Sequence, residues 1–211
     1  VVLSGALVVA ACGGDPPGTT GSPLARIPGP VALADLRGQW QPTPFVVDQA
    51  LRERFAAACR RSMPDLTGRL VTLDVRGGGL ANGIATDPVG GCDVLKIDAT
   101  GQIEHSGGGW SIAEPESPWP AGVAIEGGAS ILNDDPRVEG WEVIGRAGPS
   151  IALVVIEAPG QPAIQATLEN GRFSAWWPVV GANGGPSPSY VVRGFDESGT
   201  LIDQQEFSPS F

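Results

Sequence analysis

The sequence predicts a mainly β fold, β-sandwich-like, with one α-helix near its N-terminal end. Two observations carry that expectation. Gly and Pro, 31 and 20 of 211 residues, make up about a quarter of the chain, a density of turn formers that no helical bundle tolerates. Beyond Pro64 the apolar residues fall in short runs bounded by Gly or Asp, the pattern of antiparallel strands joined by tight connections. Charged residues at 17% against 42% hydrophobic leave enough apolar surface for a core.

The chain opens on Val1 to Ala11 (VVLSGALVVAA), apolar and without a charge. That run is too short to cross a bilayer but suits the apolar core of a secretory signal. It ends in Val9-Ala10-Ala11-Cys12, which resembles a bacterial lipobox. The resemblance implies that the small residues admit a signal peptidase and that the Cys12 sulfur takes a diacylglyceryl group. No Met and no basic segment precede the run, so upstream residues are expected to be missing. Two other readings stand beside this one: the outer end of a membrane helix, or an ordinary signal peptide with an incidental Cys. Residues 1–12 are therefore read as signal segment and lipobox. Residues 13–32, rich in Gly, Pro, Ser and Thr, form a flexible tether.

Residues 33–113 are expected to hold the helix and a first β unit. Leu51, Phe55, Ala58, Cys59 and Met63 recur at helical spacing, with Arg52, Glu53, Arg60 and Arg61 on the other side. Asp48 stands where a cap belongs, Arg60 and Arg61 suit the negative end of the dipole, and Pro64 stops the helix. The four arginines from Arg52 to Arg61 read as a solvated face turned toward an acidic body. Strands are expected at Leu70 to Val75, Leu80 to Thr86, Cys92 to Asp98 and Gln102 to Ser106. Residues 114–140 read as a connecting loop, with one possible strand at Val123 to Glu126. A second β unit, 141–211, follows with strands at Ile151 to Ile156, Ala163 to Leu168, Arg172 to Trp177, Ser189 to Phe195 and Thr200 to Phe207.

The two units echo each other. Leu70 to Thr86 matches Ile151 to Thr167 at an offset of about 81, and Asp98-Ala-Thr-Gly101 matches Asp196-Glu-Ser-Gly199 at about 98. The matches fit a duplicated β unit with an insertion and equally fit chance. Gly145-Arg146-Ala147-Gly148, Ala166-Thr167, Gly171-Arg172-Phe173, Ala175-Trp176-Trp177-Pro178 and Asp196-Glu197-Ser198-Gly199 resemble a pattern in uncharacterised exported lipoproteins and extracytoplasmic regions of high-GC bacteria. Some of these are attached to anti-sigma factors. The resemblance covers residues 145–211 and implies export and β architecture; the family has no assigned activity.

Charge and chemistry narrow the function classes. The net charge is −10, all of it in the second half, so a nucleic-acid partner would be repelled. The only His, His105, ends a strand, and no Gly-x-Ser-x-Gly elbow exposes a serine. Asp98 and Asp196 read as hairpin turns whose carboxylates accept backbone hydrogen bonds. Gly77 to Gly83 lacks the last Gly of a dinucleotide fingerprint and leads into a strand. Asn133-Asp134-Asp135 lacks the alternation of a calcium loop. No metal site and no cofactor are expected.

Six of the 13 aromatics are Trp, and exposed Trp planes stack on sugars. Strand alternation puts Phe173, Ala175 and Trp177 on the core face of their strand. Arg172 and Trp176 share the half-solvated face, where Trp176 either stacks on a ligand or covers the other unit. Trp176, Arg172, Trp110 and Trp119 are the candidate ligand-binding residues, with Glu114 and Glu116 beside the latter pair as acids for a glycan hydrolase. Once Cys12 is lipidated, Cys59 and Cys92 remain as an even pair, expected to form a disulfide. The reading is a non-enzymatic binding or interaction lipoprotein at the outer face of the bacterial cytoplasmic membrane. Its partner would be a protein or glycan of the envelope. A glycan hydrolase and the sensory part of an anti-sigma-type regulator are the rivals.

Overall fold

The computed structural model describes residues 38–62, 70–78, 81–86, 89–92, 95–98, 100, 102–105, 120–131, 140–179 and 187–208. Cys12, Trp110, Trp119, Glu114, Glu116 and Asn133 to Asp135 lie outside them. The fold is mainly β with a single helix among the described residues.

Helix α1 spans Gln49–Ser62. The Asp48 carboxylate accepts the Leu51 N–H at 2.7 Å, capping it as the sequence indicates. Leu51, Phe55, Ala58 and Cys59 are buried, and the cluster they join includes Leu70, Leu73 and Val75 of β1 (Leu70–Val75), Ala81 of β2 (Ala81–Thr86), Cys92 of β3 (Val89–Cys92) and Ile103. Strands β1, β2 and β3 form an antiparallel sheet in that order. The run from Cys92 to Asp98 does not form one strand: Cys92 ends β3, and Leu95–Ile97 (β4) pairs separately with Ile103–His105 (β5).

The second unit is a sandwich of two four-stranded antiparallel sheets. One has the order β10-β11-β7-β6, built from Thr167–Glu169, Arg172–Pro178, Gly140–Ala147 and Val123–Ile131. The other has the order β13-β12-β8-β9, built from Leu201–Phe207, Tyr190–Phe195, Leu153–Glu157 and Ile164–Gln165. Their facing sides share one core, with Val143, Phe173, Ala175 and Trp177 from the first sheet and Val154, Ile156, Tyr190 and Val192 from the second. Phe173, Ala175 and Trp177 therefore lie on the core face, as alternation requires.

Two expectations are corrected here. The connecting loop assigned to 114–140 contains β6, which pairs with β7 from Val123 to Ile131, so the second unit begins before residue 141. Its Gly127-Gly128-Ala129-Ser130 stretch has weak strand propensity, and pairing with β7 supplies what the side chains do not. The resemblance between the units is local. The turns at Asp98 and Asp196 match: each Oδ1 accepts the N–H two and four residues on, and the hydroxyl two residues on. The sheets around them differ, since β8 pairs with both β9 and β12 whereas β1 pairs with β2 alone among the described strands.

One side of the sandwich is closed by side chains. Asp203 Oδ2 accepts the Val123 N–H and Gln205 Oε1 the Ile125 N–H, both at 3.0 Å, so β13 satisfies the edge amides of β6. The approach requires Gly122, where a Cβ would lie 2.0 Å from Asp203 Oδ2.

Cys59 at the helix end and Cys92 on β3 are paired, with Cα atoms 5.8 Å apart. The closed loop of about 34 residues contributes roughly 3–4 kcal/mol in the chain-entropy model. Replacing both cysteines by Ala should lower the guanidinium midpoint by that equivalent; an unchanged midpoint would refute it.

Candidate functional site

The residues singled out on β11 do not form an open surface. Trp176 and Arg172 share the face opposite Trp177, but Trp176 is only 2% exposed, against the half-solvated position expected for it. Its indole meets Trp40 edge-on, ring centroids 6.3 Å apart, and the Trp40 Nε1–H donates to the Trp176 carbonyl at 3.0 Å. The ring edge presses on Gly78, whose φ of +71° and lack of a side chain permit the contact. Trp176 has no free plane for a sugar. It follows the other reading, covering the junction between the units.

Arg172 is buried as well. Glu126 sits in the bulge of β6 between Ile125 and Gly127 and carries both flanking cations. Its Oε1 lies 2.5 Å from Arg146 Nε and its Oε2 2.9 Å from Arg172 Nη1. Arg146 and Arg172 are directly opposite in register, a like-charge pair that is tolerable because one carboxylate lies between them. Arg172 is thus engaged by structure.

Among the described residues, a further concentration of buried charge is one that local spacing did not assemble. Asp74, last but one in β1, and the following Arg76 are both fully buried, with Arg76 Nε on Asp74 Oδ2 at 2.7 Å. Arg76 Nη1 donates to the Pro42 carbonyl at 2.7 Å and Nη2 to the Gln165 carbonyl at 2.5 Å. The second Asp74 oxygen accepts the Thr167 hydroxyl at 2.6 Å. Burial pushes the Asp74 carboxyl above its ordinary value, while Arg76, the Thr167 hydroxyl and the Trp176 backbone N–H oppose it. The signal was present: Thr72, Asp74 and Arg76 alternate on one side of a strand. A polar face reads as solvent-facing, whereas here it lies between layers. At the rim, Arg52 of α1 pairs with Glu169 of β10 at 2.6 Å beside a cavity of about 60 Å³.

Two shallow hollows are lined by described residues. One, about 320 Å³, is lined by Glu157, Pro159, Tyr190 and Glu206, and its Glu157 is engaged by Arg193 at 3.2 Å. The other, about 450 Å³, includes Asp196 and Glu197. The Ser198 hydroxyl and the Thr200 backbone N–H hold the Asp196 carboxyl below its usual range. Among the described residues no cluster of three His, Cys, Asp or Glu is placed to hold a metal. Comparison with protein-family models, curated proteins and solved structures finds no match for this chain.

Arg76→Met should cost about 3–5 kcal/mol, because it leaves the Asp74 carboxylate buried without its partner. Pairing it with Asp74→Leu should recover most of that loss in urea unfolding; a double variant as unstable as the single one would contradict the role of the pair. The chain has a single tyrosine, and burial pushes the Tyr190 phenol from an ordinary value of 10 up to about 12. Its neutral form is favoured by the fold, so that contribution is complete below pH ~10 and lost as the pH rises through 12. Ultraviolet difference titration should give a midpoint near 12 in the folded chain and near 10 in concentrated guanidinium. A folded midpoint near 10 would show the phenol to be solvated.

Proposed function

We propose that this chain is an exported lipoprotein whose body acts as a non-enzymatic binding or interaction module at the outer face of the bacterial cytoplasmic membrane. The observation that carries the reading is Val9-Ala10-Ala11-Cys12, placed at the end of an uncharged apolar run and followed by a Gly- and Pro-rich tether. A diacylglyceryl thioether at Cys12 supplies two acyl chains, enough for stable anchoring where one is marginal. The Cys59–Cys92 pair supports the reading independently, since disulfides persist in oxidising compartments. For the body, the support is that the charged groups meeting at the junction are committed to one another. A glycan role would have to rest on Trp110, Trp119, Glu114 and Glu116 rather than on Trp176.

Expression behind its own upstream leader in a bacterium fed a clickable fatty acid tests the anchor. The wild-type chain should take up label that survives hydroxylamine, as a thioether does and a thioester does not. Cys12→Ala should abolish it. An unlabelled wild-type chain would overturn the lipoprotein reading and favour a membrane helix ending near Ala11, the arrangement of a sensory regulator.

A further inference from the structure

Among the described side chains, the exposed cations gather on one element. Arg54, Arg60 and Arg61 of α1 are exposed. Arg76, Arg146 and Arg172 are buried on carboxylates, and Arg193 is paired with Glu157. Helical spacing puts Ala50, Arg54, Ala57 and Arg61 on one line, turned away from the buried Leu51, Phe55, Ala58 and Cys59, with Glu53 and Arg60 flanking it. Arg52 points elsewhere, onto Glu169. Arg61 Nη2 donates to the Ile103 carbonyl at 3.2 Å, which positions the guanidinium and leaves its charge in place. Three arginines against one glutamate give this stripe a net charge of +2.

The layers set that stripe at one pole. Leu73 and Val75 of β1 join the core under α1, whereas Asp74, on the opposite face of the strand, meets Thr167 of β10. The order is therefore α1, the first sheet, the β10-β11-β7-β6 sheet, then the β13-β12-β8-β9 sheet. The last of these carries Asp203 and the exposed Glu206, with Glu197 exposed in the turn between β12 and β13. A chain of net charge −10 thus shows cations on its first layer and carboxylates on its last.

We propose that the Arg54–Arg61 stripe of α1 is the face by which the tethered body lies on an anionic lipid surface. The setting rests on the lipid-anchor reading above. Twenty-five residues separate Cys12 from Gly38, a reach of at most about 85 Å, so an anchored body stays at high effective concentration beside the bilayer. An anionic surface repels the acidic layer and attracts the basic one, which selects a single orientation. The apolar side of α1 is committed to the core, so the contact is electrostatic and involves no insertion.

The test supplies the anchor chemically. With Cys59 and Cys92 paired, Cys12 is the remaining thiol of the three, and the 211-residue chain can be coupled through it to a maleimide lipid. Vesicles are made of phosphatidylcholine alone or in equal parts with phosphatidylglycerol, and benzoylphenylalanine replaces the exposed Ala50 on α1 or the exposed Gln204 on β13. Phosphatidylglycerol should raise cross-linking to lipid from position 50 about 25-fold, at roughly fivefold per net charge, and leave position 204 unchanged. The rise should vanish at molar salt, where screening reaches only about 3 Å. It should also vanish when Arg54, Arg60 and Arg61 all become Gln, with the melting temperature unaltered, and return when all three become Lys. Equal cross-linking on neutral and anionic vesicles, a rise that survives the three glutamines, or cross-linking in intact cells to an envelope protein in place of lipid would overturn the proposal. The metabolic label at Cys12 reads the anchor alone, so an unlabelled chain that still responds to phosphatidylglycerol would refute the anchor and support the face.

Discussion

One guanidinium decides how the two parts of this molecule meet. Arg76 is fully buried and satisfied by partners from three separate stretches: Asp74 beside it, the Pro42 carbonyl and the Gln165 carbonyl. Desolvating both ions costs several kcal/mol each, and their attraction repays that only when the remaining donors and acceptors are also met. A shift of the first sheet along β10 and β11 would strand Arg76, Asp74 and Thr167 together. The pair's contribution is therefore geometric: it admits one docking position and penalises its neighbours. The burial of Trp176 is a consequence, because the layer fixed by Arg76 is the one that closes over the indole.

The same logic runs through the outer face of the β10-β11-β7-β6 sheet. All described residues of β7 are buried, although Glu142 and Arg146 alternate with its apolar ones. Arg146 and Arg172 would repel each other across the strand pair, and the bulge at Glu126 supplies the extra residue that brings one carboxylate to both. Among the described residues, side chains of β13 meet the edge of β6, and the segment at 38–45 meets β1 and β9.

What the sequence showed was whatever local spacing encodes. The Asp48 cap, the apolar stripe of α1, the Asp98 and Asp196 turns and the core face of β11 each depend on residues a few positions apart. The Cys59–Cys92 pair was legible by counting, since two thiols remained. The misses have two causes. Strand β7 was not foreseen because Glu142 and Arg146 suggest a surface. Strand β6 was cut short because Gly127 and Gly128 suggest a loop. Trp176 was placed half in solvent because Arg172 and Ser174 sit on its side. On β7 and β11 long-range packing, invisible to spacing, turned a polar face into an interior one, whereas on β6 pairing with β7 supplied what the side chains do not. Asp74 and Arg76 stand two residues apart, but their partnership with Thr167, 93 residues from Asp74, was beyond reach because nothing local relates the two.

The segment from Gly38 to Phe45 belongs to neither unit and is hydrogen-bonded to both. Gln41 and Phe45 donate to the carbonyls of Arg76 and Val75, Gly78 donates to Gly38, Gln165 donates to Pro42, and the Trp40 indole holds Trp176. This stretch is a mechanical clip at the base of whatever precedes it. Tension entering the folded body from the N-terminal side loads these few bonds before it reaches either core. Behind them the buried joint of Arg76, Asp74 and Thr167 also holds the seam between the units. The same position makes the stretch a fuse: a protease cut just after Gln41 would separate the Trp40 indole from the main-chain bonds at Pro42 and Phe45 while leaving the Cys59–Cys92 link and the sandwich core untouched.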